Sequence, residues 1–363
     1  MRNDLVRKSI EKLQPYEPNE IYCDIKLDAN ENNGATMLWN EKIAKALMGL
    51  QINQYPDTNA EEIKGILGRQ LGVQKDQLVI GCGSDQLITM LFNAFVDSKD
   101  RILTLSPTFS MYRVACDIAG GITVEAPLGK DFEFDYFTFI KAVKKVEPKM
   151  IFLTNPNNPT GGVISREHII KIIENTTAVV VVDEAYYEFY GETVADLVNY
   201  YSNLIVLRTL SKGYGLAGAR IGYSISNKTV TRVLKKVKPP YNVSSLDQIA
   251  AKVCLENKVL LQESLREVIE ERENLIAALE SVDEIKTFKT KGNFVLIEVE
   301  EAKLLFNYLT ETGIAVRYFG GQGPLKNCIR ISVGTKEENR VLMKAVKGYF
   351  IKKTESLASG VSA

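Results

Sequence analysis

The chain has 363 residues, enough to bury a large core and to divide into two domains. Lysine plus arginine equals aspartate plus glutamate at 45 each, so the net charge argues for neither nucleic acid nor an anionic membrane as partner. No apolar run approaches the roughly 20 residues of a bilayer-spanning helix, and five scattered cysteines with a single histidine exclude a disulfide framework and a histidine zinc site.

Met1 to Lys8 has no apolar core of a secretory leader, so a cytoplasmic protein is expected. Residues 1–30 read as a polar arm marked by Pro15-Tyr16-Glu17-Pro18 and closed by Asp28-Ala29-Asn30. A helix is expected over 41–50. A second should open on the box Thr58-x-x-Glu61 and stop at Gly72. From Gln77 the pattern alternates. Short apolar runs at 78–80, 101–105, 150–154, 178–182, 204–207 and 222–225 read as buried strands, with helices such as 86–96, 137–146 and 167–174 between them. His168 falls at the polar start of the last of these, a surface position. Such alternation predicts an α/β domain with a mostly parallel central sheet, flanked by helices, over 31–243. One long helix is then expected over 245–279. It is followed by strands at 285–288, 294–299, 314–318 and 328–333, a helix at 303–311, and a last helix opened by Thr335-x-x-Glu338. This reads as a smaller α+β domain, 244–354, with a frayed tail at 355–363.

The chemically suggestive stretches each follow a strand, where ligands of parallel sheets bind. Thr209-Leu-Ser211-Lys212-Gly-Tyr-Gly-Leu-Ala-Gly-Ala-Arg220 combines glycines that permit close backbone approach with hydroxyls and a guanidinium fork suited to phosphate. Lys212, beside another cation, is a candidate nucleophile toward carbonyls. Thr154-Asn-Pro-Asn-Asn158-Pro-Thr-Gly161 is a proline-locked turn. Val179-Val-Val-Val-Asp183-Glu-Ala-Tyr186 ends a buried strand with an aspartate, which is costly unless a cation pairs with it. Gly83-Ser84-Asp85 opens a helix whose free N–H groups favour an anion, and Phe109 follows Ser106-Pro-Thr.

Taken in order, these segments resemble the fold-type I pyridoxal-phosphate aminotransferases over nearly the whole chain. The resemblance implies that Lys212 holds the cofactor aldehyde as an imine and that Asp183 keeps the ring nitrogen protonated. It also implies that Asn158 and Tyr186 reach the ring hydroxyl and that Phe109 lies on the ring. Gly83, Ser84, Asp85, Thr209, Ser211 and Arg220 would surround the phosphate. Tyr55, in Tyr-Pro-Asp, matches a tyrosine supplied by the neighbouring subunit, which implies a homodimer. Pro15-Tyr16, Asp28-Ala-Asn30-Glu-Asn, Pro239-Pro-Tyr-Asn, Arg317 and Arg330-Ile-Ser-Val-Gly-Thr335 are similar to the histidinol-phosphate branch, with Tyr16, Asn30, Arg317 and Arg330 as its substrate set. Histidinol phosphate and 2-oxoglutarate, converted to imidazole-acetol phosphate and glutamate, are then the expected substrates. An aromatic aminotransferase and a threonine-phosphate decarboxylase share these motifs and stay open at this point. The arm departs from the branch at Glu17-Pro18, where glycine is common.

Overall fold

The computed structural model describes residues 5–11, 13–15 and 23–359. The arm contributes β1 (Ile25–Lys26). Then β2 (Leu78–Cys82), β3 (Arg101–Ser106), β4 (Ile122–Pro127), β5 (Met150–Thr154), β6 (Val179–Asp183), β7 (Leu204–Thr209) and β8 (Ile221–Ser226) make one seven-stranded sheet in the order β2-β8-β7-β6-β5-β3-β4. Pairing is parallel from β7 through β6, β5 and β3 to β4, and β8 runs antiparallel to both its neighbours. This is the mostly parallel α/β sheet expected from the sequence. Its inner strands are near-continuous runs of β-branched and other apolar residues because helices cover both faces. On one face lie Leu153, Val180, Val182 and Val206. On the other lie Phe152, Val181, Ile205 and Leu207, packed with Phe92 and Tyr112. Strand β4 was not expected. It sits at the sheet edge with only Ala126 buried, so it lacks the apolar run that marks the inner strands.

The C-terminal third adds β9 (Lys286–Thr287), β10 (Phe294–Glu298), β11 (Ile314–Ala315), β12 (Arg317–Tyr318) and β13 (Cys328–Ser332). The stretch expected as one strand over 314–318 is two. β12 joins the antiparallel sheet β12-β13-β10-β9, while β11 pairs in parallel with β1 of the arm. The arm thus belongs structurally to this second core, where Leu27 packs with Ile314, Ile331 and Val333.

Several helix boundaries also differ from expectation. The first long helix spans Thr36–Leu47. The next, Glu61–Leu71, is opened by Asp57, whose carboxylate accepts from Glu61 N at 2.7 Å; Thr58 makes no such cap. The single helix expected over 245–279 is broken at Asn257 into Ser245–Glu256 and Lys258–Glu280. The box at Thr335 forms as expected, with Thr335 N donating to Glu338 at 2.7 Å and Glu338 N to the Thr335 hydroxyl at 3.3 Å. That final helix runs to Ser359, past the point where fraying was expected. Among the described residues no helix is long and apolar enough to cross a membrane.

Candidate active site

Side chains alternate along a strand, and this builds the floor of the site. Phe152, Val181 and Leu207 all point into the same core layer. Two positions on, Thr154, Asp183 and Thr209 therefore emerge on that face, each as the last residue of a parallel strand. Thr154 and Asp183 are direct register partners. Over these strand ends opens a cavity of about 700 Å³.

Of the residues singled out in the sequence, Asn30, Ser84, Asp85, Phe109, Asn158, Asp183, Tyr186, Thr209, Ser211, Lys212, Arg220, Arg317 and Arg330 line this one cavity. Gly83 does not line it but stands directly behind. Its backbone has φ +73°, and a Cβ placed there would meet Arg220 Nη2 at 2.6 Å. Its N–H also donates to the Arg220 carbonyl at 2.7 Å, so only glycine lets the arginine lie across the start of this helix. Tyr55 is 80 % exposed and lines no part of this chain's cavity; its ring stacks on Tyr241 with centroids 4.5 Å apart. Tyr16 lies outside the described residues.

Three groups of side chains divide the cavity. One is a cup of hydroxyls and charge. Arg220 holds Asp85 at 2.9 Å and reaches the Ser211 hydroxyl at 3.4 Å, while Thr209 and Ser84 sit beside them. The first turn of the Gly83–Phe95 helix points its free N–H groups the same way. The second group is Asp183, 2 % exposed, which accepts from the Tyr112 hydroxyl at 2.7 Å and from Ala185 N at 3.1 Å. Burial pushes its carboxyl up to about 6, against the lowering effect of those two donors. Lys212 faces the same space. Burial, then the charge of Arg330, brings its amine down to about 8, and it donates to the Ala29 carbonyl at 2.6 Å.

The third group comes from the small domain and the arm. Arg317 and Arg330 are direct cross-strand partners on β12 and β13. Arg330 donates to Asn158 Oδ1 at 2.6 Å and to the Asp28 carbonyl at 2.5 Å. The guanidinium therefore fixes the Asn158 amide with its N–H₂ free to donate. Arg317 lies over Phe319 and makes no hydrogen bond or ion pair among the described residues. Asn30 Nδ2 donates to the Tyr186 hydroxyl at 2.9 Å, leaving that hydroxyl's proton for the cavity.

Sequence reasoning missed Tyr112, Thr108, Phe319 and Leu325, all of which line the cavity. Tyr112 lies in the first turn of the Met111–Ala119 helix, just after Phe109, and meets that ring edge-on with centroids 5.6 Å apart. Phe319 belongs to the Arg317-Tyr318-Phe319 stretch, whose aromatics also suit an aromatic aminotransferase, and Leu325 left no signal because it arrives through the 319–325 loop.

Comparison with known proteins agrees with this geometry. The family "Aminotransferase class I and II" matches residues 24–346. A histidinol-phosphate aminotransferase of Clostridium novyi is 43 % identical over 349 residues, covering 96 % of this chain and 98 % of the relative. One from Thermoanaerobacter pseudethanolicus is 41 % identical, covering 96 % and 99 %. The crystal structure of histidinol-phosphate aminotransferase from Sinorhizobium meliloti, in complex with pyridoxal-5'-phosphate, superposes with a TM-score of 0.86 at 24 % identity, over 95 % of this chain and 98 % of that one. With a parallel sheet ending in Thr154, Asp183 and Thr209, a lysine that lines the same cavity as the aspartate, and near full-length relatives of this kind, the chain belongs to the class I and II aminotransferases.

Proposed function

We propose that the protein is a pyridoxal-phosphate-dependent aminotransferase that interconverts histidinol phosphate and 2-oxoglutarate with imidazole-acetol phosphate and glutamate. The residues present fit the cofactor. A carboxylate 98 % removed from solvent that has no cationic partner among the described residues suits a protonated ring nitrogen, and the cup around Arg220 suits a phosphate. When bound, the pyridoxal ring supplies an electron sink for charge that develops at the substrate's Cα.

The chain's own groups do the rest. Lys212 would hold the cofactor through its amine and, once released, carry the proton from the substrate's Cα. Asp183 would keep the proton on the ring nitrogen, while Tyr186 and Asn158 donate to the ring hydroxyl. Gly83, Ser84, Asp85, Thr209, Ser211 and Arg220 form the phosphate cup, and Phe109 would cover the ring face. The expected division assigns cofactor binding to residues 31–243 and substrate recognition to 1–30 together with 244–354. Tyr55 would complete the phosphate cup of a second copy in a homodimer. Its stacking partner Tyr241 is exposed as well, so the two rings form an aromatic surface that supports covering by a second copy.

One observation carries the substrate reading: Arg317 and Arg330 are register partners lining the same cavity. Like charges directly opposite across a strand pair destabilise it unless an anion lies between them. The cofactor's phosphate would have its own cup, so Arg317, which makes no hydrogen bond or ion pair among the described residues, together with Tyr16, is left for a second anion. That anion is the substrate phosphate in one half-reaction and, at Arg330, the glutamate carboxylate in the other. Asn30 and Tyr16 complete the substrate set. Arg317→Ala should weaken histidinol phosphate by roughly ten- to a hundred-fold, given about 1.5–3 kcal/mol per charge-assisted bond. The glutamate half-reaction should change far less. Single-turnover spectra of the two half-reactions test this, and equal losses in both would turn the reading toward an aminotransferase without phosphate recognition.

A further inference from the structure

We propose that Tyr112 is a positioning residue for Asp183, whose carboxylate it holds ionised and turned toward the cavity through a relay that reaches the Asn155–Gly161 loop. This rests on the assignment of Asp183 to the cofactor's ring nitrogen. The relay can be followed proton by proton. Asn157 Nδ2 donates to the Pro107 carbonyl at 3.0 Å and to the Thr160 hydroxyl at 2.9 Å, which turns its Oδ1 toward Thr108. Thr108 donates its only hydroxyl proton there, at 2.6 Å. The Thr154 proton then serves either Thr108, at 3.0 Å, or Tyr112, at 2.9 Å. When it serves Tyr112 the phenol proton is left for Asp183, at 2.7 Å, and when it serves Thr108 the ionised carboxylate, which can only accept, is still the stronger acceptor for that proton. Among the described residues the Tyr112 hydroxyl has no other hydrogen-bond partner. Its side chain is 1 % exposed, stacked on Phe152 at 4.4 Å and met edge-on by Phe109 at 5.6 Å.

The surroundings make this one bond matter. The Asp183 carboxyl is buried, and the charges of Asp85 and Glu184 raise it further. Glu184 is offset by Arg208 at 2.8 Å, and Asp85 by Arg220. The cations that share the cavity with Asp183 are Lys212, Arg220, Arg317 and Arg330, and besides Tyr112 the other titratable groups there are Asp28, Glu31, Asp85 and Tyr186. None of these cations is bonded to the carboxylate. Among the described residues its two oxygens have only Tyr112 and the Ala185 N–H. Loss of the phenol leaves one oxygen bare in an apolar layer, and a proton fills the gap. The carboxyl then no longer matches a protonated ring.

The test is the pH dependence of cofactor affinity, measured on the full chain by equilibrium dialysis with pyridoxal phosphate. Wild-type affinity should fall on the acid side as Asp183 gains a proton, with a midpoint near the value of about 6 for this carboxyl. In Tyr112→Phe that midpoint should rise by roughly 1–2 pH units, the scale of one hydrogen bond to a charged group. Thr154→Val leaves the phenol's donor in place and should shift it far less. Should Tyr112→Phe fail to fold, difluorotyrosine installed at position 112 replaces it. That side chain keeps the shape but donates more strongly, so the midpoint should fall. An unmoved midpoint in either Tyr112 variant overturns the proposal. If wild type lacks the acid limb and Asp183→Asn binds cofactor normally, the assignment of Asp183 itself is at fault.

Discussion

Asp183 and Lys212 show opposite faces of one physical effect, a charged form penalised by burial. For Asp183 the carboxyl rises from 3.8 to about 6 in the folded chain. The native state then binds this proton more tightly than the unfolded state, so stability falls as pH rises from about 4 to about 6 and stays reduced above that. At about 1.4 kcal/mol per pH unit the cofactor-free protein carries on the order of 3 kcal/mol of strain at neutral pH. Asp183→Asn should therefore melt higher than wild type without cofactor at pH 7.5, with the gap closing near pH 4, while losing most of the transamination rate. Scanning calorimetry at the two pH values gives the answer, and a variant less stable at both would refute the electrostatic account. For Lys212 the amine falls from 10.5 to about 8. The neutral, nucleophilic fraction is then about one-tenth at pH 7, grows roughly tenfold from pH 6 to 7, and levels off above pH 8. The rate at which cofactor-free protein takes up pyridoxal phosphate should follow that curve. A rate still climbing steeply at pH 9.5 would mean an ordinary lysine. Lys212→Ala should abolish the visible absorbance of the imine and all turnover, whereas Lys238→Ala should not.

Between elements, the closest approach that builds the site is that of β8 to the start of the Gly83–Phe95 helix. Gly81 and Gly222 are register partners on β2 and β8, and a Cβ at 222 would stand 2.5 Å from Gly83 C and Ser84 N. These are backbone atoms of the proposed phosphate cup and cannot rotate away. Gly222→Ala should cost about 1–3 kcal/mol as an overpacked contact, and cofactor retention should fall with it. Gly218→Ala, in open space, should stay within about 0.5 kcal/mol of wild type. Thermal melts of both, with and without pyridoxal phosphate, separate a local effect on the cup from general loss of stability. Elements whose boundaries were misread share a cause. Asn257 interrupts a pattern that stays amphipathic on both sides, and Asp57 caps a helix from four residues away, so periodicity alone shows neither.

At the scale of the molecule, Tyr55 decides what the functional unit is. It belongs to the expected cofactor set, yet it is exposed and remote from its own chain's cavity. A symmetric dimer would place the same surface of each copy against the other. Lys212→Ala and Tyr55→Phe chains mixed, unfolded and refolded together should recover about a quarter of wild-type activity. Half the dimers would be mixed, and each mixed dimer would hold one intact site built from both chains. If Tyr55 served its own chain's site, the mixture would show no gain over the parents. Sedimentation of the wild type should give twice the chain mass.

The sequence by itself determined the alternation of strand and helix and the residues at the strand ends. Both are local facts: apolar runs such as Val179–Val182 can only be buried strands, and period-two geometry then dictates where Asp183 points. It also held the glycines and hydroxyls of the proposed phosphate cup, whose chemistry is written into two short segments, 83–85 and 209–220. Tertiary structure alone decided what those ends face. The cross-strand pairing of Arg317 with Arg330, the β1 to β11 contact that brings Asn30 onto Tyr186, and the Tyr112 proton donated to Asp183 each join residues far apart in the chain. No local periodicity encodes such contacts, because each depends on the register of one packed layer against another.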